Sequence, residues 1–121
     1  MDLDELNAYL ARLHGQATVE KINVPTEQAS GSLKIKFNGD IGTRDNGEIE
    51  VEFLDVDSLS LAFSLVGPIK IVIANELVSS YLNENYLETN FNFYQLIDDV
   101  GVKWWIYAKN FRAKRLPAFY K

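Results

Sequence analysis

The sequence predicts an α+β fold: an antiparallel sheet of about five or six strands with an N-terminal helix packed on its apolar face. Leucines recur with helical spacing near the N-terminus, and from residue 32 apolar and polar residues alternate with a period of two. The chain of 121 residues is a normal size for one domain and is 47% hydrophobic. We therefore expect residues 1–121 to form a single domain with a basic, aromatic C-terminal segment, residues 103–121.

A helix is predicted over residues 2–14. Asp2 is followed three residues later by Glu5, which resembles a capping box, and Gly15 is a natural stop. A helix this short needs a surface to pack on. Its apolar stripe has spacings of three, four and three residues, and consists of Leu3, Leu6, Leu10 and Leu13.

A hairpin is predicted next. Residues 33–37 and residues 48–53 both alternate strictly, and turn-forming Asn, Asp and Gly residues fill the stretch between them. Pairing these strands sets two lysines against three glutamates on the outer face, which favours the pairing. These charged residues are Lys34, Lys36, Glu48, Glu50 and Glu52.

The rest of the chain is predicted with less regular elements. Residues 59–65 and 69–73 alternate as strands, and residues 75–88 fit a short helix. Residues 91–97 resemble a strand, and a turn at 98–101 precedes a strongly strand-like stretch. Residues 16–30 are left open between a loop and a short strand.

Several kinds of chemistry find no support in the sequence. There is no cysteine, so disulfides and thiolate metal sites are excluded, and His14 is the single histidine. The loop from Asn38 to Gly47 does not match the ligand spacing of a calcium-binding loop and is interpreted as a hairpin tip. No phosphate-binding loop or nucleophile motif occurs. We therefore predict no catalytic residue, no metal and no cofactor.

Charge is distributed unevenly along the chain. Residues 1–102 contain all 17 acidic residues and six of the 12 basic residues, a net charge of −11, whereas residues 103–121 have a net charge of +6. A basic, aromatic end on an acidic body predicts either a binding surface or an internal docking strand. In strict alternation, Val102, Trp104, Ile106 and Ala108 face the core. The predicted binding residues are Lys103, Trp105, Tyr107, Lys109, Phe111, Arg112, Lys114 and Arg115.

Three functions follow from these observations. The first is a non-enzymatic protein-interaction module, of an immunity or regulatory type, which uses the binding residues above or the acidic ridge of Glu48, Glu50 and Glu52. The second is a single-stranded nucleic-acid binder that uses the same aromatic and basic residues. The third is a small-ligand-binding protein or enzyme with a pocket between helix and sheet, which uses Asp55, Asp57 or tyrosine side chains.

The expected partner is another protein, with nucleic acid as the alternative. In size and charge the chain resembles bacterial toxin-neutralising immunity proteins, but no motif carries this resemblance and no residue role is transferred. Because there is no cysteine and no apolar stretch of about 20 residues, we expect a cytoplasmic protein that does not enter a membrane.

Overall fold

Six strands form one antiparallel sheet in the computed structural model, which describes residues 1–13, 17–38, 48–61, 64–65 and 67–116. In chain order the strands are β1 (Ala17–Asn23), β2 (Gly31–Phe37), β3 (Glu48–Leu61), β4 (Lys70–Ile73), β5 (Asn92–Asp98) and β6 (Gly101–Leu116). Their order across the sheet is β1-β2-β3-β6-β5-β4. The predicted antiparallel sheet is confirmed, and residues 17–23, which were left open, form its first strand.

One α-helix, α1 (Leu3–Leu10), lies in the described part of the chain. Asp2 caps it as predicted, since its Oδ1 accepts the N–H of Glu5 at 2.8 Å. The helix ends at Leu10 instead of residue 14, and the predicted stop at Gly15 lies outside the described residues. No helix within the described ranges is long and apolar enough to cross a membrane.

The main apolar cluster lies on one face of the sheet, which we call the inner face. It includes Leu33 and Ile35 of β2, Phe53 of β3 and Ile106 of β6, all fully buried. Leu6 and Leu10 of α1 belong to the same cluster and are 0% and 1% exposed. Most of the free energy that favours this fold therefore comes from apolar area removed from water on the inner face.

The predicted hairpin is confirmed. β2 and β3 pair antiparallel, with Lys34 opposite Glu52 and Lys36 opposite Glu50. Leu33 and Ile49 are both buried in the inner cluster, as strict alternation required. The connection at residues 39–47 lies outside the described part of the structure. β3 is longer than predicted, because residues 48–53 and 59–61 belong to one strand.

The connection from β4 to β5, residues 74–91, folds as two short 3-10 helices, Asn75–Ser80 and Glu84–Tyr86. A short helix was predicted over 75–88, and the structure has these two 3-10 turns in its place. We call residues 74–91 the cover segment, since side chains from it pack on the second face of the sheet, the outer face.

Truncation of Leu6 tests the contribution of α1 to stability. Because Leu6 is fully buried in the inner cluster, Leu6→Ala is expected to lower the free energy of unfolding by about 2–5 kcal/mol. Urea denaturation followed by circular dichroism measures this change. Leu77→Ala is the matched control, because Leu77 is 41% exposed and its truncation leaves no buried cavity. An unchanged midpoint for Leu6→Ala would show that the helix is a free arm.

Candidate recognition surface

The predicted binding residues lie on β6, which occupies the centre of the sheet between β3 and β5. Trp104, Ile106 and Ala108 face the inner cluster, as predicted. Trp105 and Tyr107 point to the outer face and belong to a second, smaller cluster with the cover segment. Alternation therefore predicts the faces of β6 correctly from residue 104 to residue 108.

Tyr107 is covered by the cover segment. It is 3% exposed, and its ring lies 5.4 Å from that of Phe91. Its hydroxyl donates to the carbonyl of Glu88 at 3.1 Å and accepts from the N–H of the same residue at 2.9 Å. A tyrosine satisfied in this way anchors the cover segment to the sheet, and its ring is enclosed between them.

Trp105 is only partly buried and lies in a group of three rings that contact one another at tilted angles. The Phe93 ring lies 5.5 Å from it, and the ring of Tyr81, from the cover segment, lies 5.9 Å away. Tyr81 and Phe93 are 5.0 Å apart. Tyr81 is 47% exposed. We call Tyr81, Phe93 and Trp105 the aromatic patch.

Phe111 does not share the face of Trp105, which corrects the prediction for that residue. Its ring packs on Phe53 at 6.4 Å and on Tyr94 at 5.8 Å, in the inner cluster. The alternation changes phase on both strands of the pair: Phe53 lies opposite Phe111 and Val56 opposite Ala108, and all four belong to the inner cluster. Asp55, between them, has a left-handed backbone with φ of 53°.

The cations of β6 are paired with the acidic ridge of β3. The Arg112 guanidinium contacts the Glu52 carboxylate, with its Nε donating at 2.6 Å, and Lys114 Nζ lies 3.3 Å from Glu50. Lys34 of β2 reaches the other oxygen of Glu50 at 3.1 Å. The sequence predicted the basic residues of β6 and the acidic ridge of β3 as alternative binding surfaces. In the structure, Arg112 and Lys114 instead form ion pairs with Glu52 and Glu50 of that ridge.

These ion pairs extend over four neighbouring strands on the outer face. Lys36 bridges Glu20 of β1 at 2.9 Å and Glu48 of β3 at 3.3 Å. We call this set the charge ladder. Its members are Glu20, Lys34, Lys36, Glu48, Glu50, Glu52, Arg112 and Lys114.

The charge ladder shifts the pKa of Glu50, Lys34 and Lys36. The hydrogen bond from Lys34 is the main cause that lowers the pKa of Glu50, with a further contribution from Lys114, while burial of the carboxylate acts in the opposite direction. The same hydrogen bond raises the pKa of Lys34. Hydrogen bonds to Glu20 and then Glu48 raise the pKa of Lys36.

The remaining predicted cations are dispersed. Lys109 is exposed, and the side chain of Lys103 lies outside the described part of the structure, as do residues 117–121. Arg115 stacks on the ring of Tyr9 in α1, with its Cζ 4.5 Å from the ring centroid. Among the predicted cations whose side chains are described, Arg112, Lys114 and Arg115 therefore contact Glu52, Glu50 and Tyr9 and do not gather around Trp105.

Asp55 and Asp57 line a cleft of about 380 Å³ between residues 25–30, the start of β2, β3 and the end of the cover segment. Glu27 and Glu88 line it as well, and none of the described residues that line it is basic. The sequence predicted a pocket between helix and sheet for these aspartates, whereas this cleft lies beside the loop that precedes β2. Its carboxylates suit a cationic group, but no set of three or more metal-binding side chains lies together among the described residues.

Sequence reasoning missed Tyr81 as a surface residue. The apolar residues around it predicted a short helix, and nothing in their spacing indicated that this segment would lie over Trp105. Comparison of the chain with protein-family models, with curated proteins and with solved structures finds no match.

The pH dependence of stability tests the charge ladder. Because the folded-state pKa of Glu50 is depressed, its carboxylate stabilises the fold above the ordinary value of 4.5 and loses this effect as pH falls through the folded value. Glu50→Gln is expected to lower the free energy of unfolding by about 1 kcal/mol at pH 7, and the difference from the parent chain should shrink below about pH 4.5. Urea denaturation from pH 7 to pH 3 measures both.

Glu84→Gln is the control for this experiment, since Glu84 is exposed and lies outside the ladder. If Glu50→Gln lowers the free energy of unfolding by the same amount at every pH, ionisation of Glu50 contributes nothing to the strand pairing.

Proposed function

We propose that this chain is a non-enzymatic protein-interaction module whose recognition surface is the aromatic patch. The observation that carries the proposal is the exposure of Tyr81, a large ring held at 5.0 Å from Phe93 and 5.9 Å from Trp105. Rings fixed in this way lose little conformational freedom on binding, and tyrosine and tryptophan are enriched among residues that dominate binding energy.

The scaffold under the patch supports this role. Phe93 is the buried ring of the patch and lies opposite Tyr107, which is also buried. The hydroxyl of Tyr107 holds the backbone of Glu88. We further propose that α1 covers the inner face of the sheet, because Leu6 and Leu10 are buried with the strand residues of that face. A patch on a supported sheet presents its rings in a fixed geometry.

Charge favours a protein over a nucleic acid as the partner. Single-stranded nucleic-acid sites combine stacked rings with cations that follow the phosphates. Here Arg112 and Lys114 are engaged by Glu52 and Glu50, on a different part of the outer face. The proposal keeps the class predicted from the sequence, a regulatory or immunity-type binding protein, and moves the surface from the basic residues to the rings. The alternative function, binding of a small ligand at Asp55 and Asp57, stays a prediction, and the cleft that these residues line is its candidate site.

Substitution of Tyr81 tests the proposal. Tyr81→Ala is expected to weaken capture of a protein partner by about 2 kcal/mol, or about thirtyfold in affinity, because it removes an exposed ring from the patch. Tyr81→Phe keeps the ring and should bind like the parent chain. Affinity capture from the source cells, followed by titration of the captured protein, measures the change.

Val100→Ala is the control for loss of exposed apolar area, since Val100 is 70% exposed and is not a member of the patch. Thermal melting of each variant separates lost binding from lost folding. Equal capture by Tyr81→Ala and the parent chain would overturn the proposal. Tight binding of random single-stranded oligonucleotides at physiological salt, weakened by Tyr81→Ala, would replace it with the nucleic-acid function.

A further inference from the structure

The two edge strands of the sheet, β1 and β4, differ in whether their outward-facing backbone groups are hydrogen-bonded. At β4, the side-chain amide of Asn7 in α1 bonds both outward-facing groups of Ile71: its Nδ2 donates to the carbonyl and its Oδ1 accepts the N–H, each at 2.8 Å. A side-chain amide thus takes the place of a neighbouring strand at this edge. This contact blocks pairing of β4 with another chain at Ile71.

The edge at β1 has no such contact. In the part of the chain that the structure describes, no hydrogen bond reaches β1 from any element other than β2. Ile22 is 47% exposed, and Val24, just beyond the strand, is 75% exposed. An open strand edge with apolar side chains beside it is a template for pairing with another strand.

The sequence of β1 is complementary to itself when read antiparallel. If residues 20 and 21 of one copy lie opposite residues 21 and 20 of another, Glu20 meets Lys21 twice. The next pair outward joins Val19 to Ile22, and the one after joins Thr18 to Asn23. Each pair matches charge with opposite charge, apolar with apolar, or polar with polar, as stable cross-strand pairs do.

A bulge in β1 makes this register compatible with one continuous sheet. In a regular strand Val19 and Ile22 would lie on opposite faces, because they are three residues apart. The pairing with β2 shifts at Glu20, so that Val19 lies opposite Ile35 and Ile22 opposite Leu33. Ile35 and Leu33 both face the inner cluster, which places Val19 and Ile22 on the same face.

The polar residues follow the same rule. Thr18 and Asn23 lie opposite Lys36 and Ser32, which both alternate with inner residues and so face outward. A two-fold axis perpendicular to the sheet therefore pairs side chains that share a face, with no register conflict.

We propose that β1 is an interface for a second copy of this chain, which pairs antiparallel, β1 to β1, about a two-fold axis between Glu20 and Lys21. The two sheets join into one, with apolar contacts between Val19 and Ile22 on the inner face and Glu20–Lys21 pairs on the outer face. The seam spans six residues per copy, so the dimer is concentration-dependent.

Sedimentation velocity over a wide range of protein concentration tests the proposal, and the parent chain should dimerise. Lys21→Glu places carboxylates opposite Glu20 twice and should weaken the dimer at least tenfold. Adding Glu20→Lys restores opposite charges in the same register and should restore dimerisation. Lys70→Glu is the matched control, since it makes the same change in net charge at an exposed position on the other edge; its dimer should persist.

A disulfide test fixes the register independently of the charge variants. The chain has no cysteine of its own, so Thr18→Cys and Asn23→Cys each introduce one thiol. A mixture of these two variants should give a covalent dimer on oxidation, because residues opposite each other lie about 5 Å apart at Cα. Each variant alone should not, since its two thiols would lie about five residues apart along the seam.

A bulge and a lysine are also devices that keep an edge strand unpaired. A parent chain that stays monomeric at millimolar concentration would therefore overturn the proposal. A dimer that Lys21→Glu leaves intact, or a mixture of the cysteine variants that does not cross-link, would overturn it as well.

Discussion

The pairing of β3 with β6 is the interaction on which the rest of this structure depends. β6 comes last in the chain, yet it lies between β3 and β5, so it joins the sheet formed by β1, β2 and β3 to the sheet formed by β4 and β5. Its inner-face residues Trp104 and Ile106 belong to one cluster with the buried residues of β2, β3 and β5. The ion pairs of Glu50 and Glu52 with Lys114 and Arg112 join β3 to β6 on the outer face. The acidic residues of β3 and the basic residues of β6, which make the charge of the sequence uneven, therefore stabilise the pairing of these two strands.

Local patterns predicted the elements whose partners are near in sequence. The β2–β3 hairpin was predictable because two alternating segments flank one turn-rich stretch, and Asp2 was a recognisable helix cap. The position of β6 in the sheet was not predictable, because its neighbour β3 lies some 60 residues away in the sequence. A signal for it was present: Glu50 and Glu52 have the same period of two as Arg112 and Lys114. Complementary periods at a distance predict pairing only when the strand order is known.

The candidate surface was predicted in part, and the limits have physical causes. Trp105 faces outward as alternation required, but Tyr107 is enclosed by a segment whose 3-10 turns have no strong sequence pattern. Phe111 lies on the inner face because the alternation of β6 changes phase between Ala108 and Phe111, opposite the same change between Phe53 and Val56 on β3. The sequence of β6 has no residue that marks this change. The cations are engaged by glutamates from the neighbouring strand. Of the eight predicted residues, Trp105 is thus the one that enters the proposed surface.

The two proposed surfaces lie at opposite ends of the sheet. The aromatic patch is built on β5, β6 and the cover segment, whereas the seam is β1, three strands from β6. In the proposed dimer, pairing at β1 would leave both patches free and would hold them at a fixed distance within one continuous sheet. Two weak contacts with a partner that carries repeated or paired sites would then act together, because the second contact becomes intramolecular. The bonds of Asn7 to Ile71 block the β4 edge, which is the edge nearer the aromatic patch, whereas the open β1 edge lies on the opposite side of the sheet.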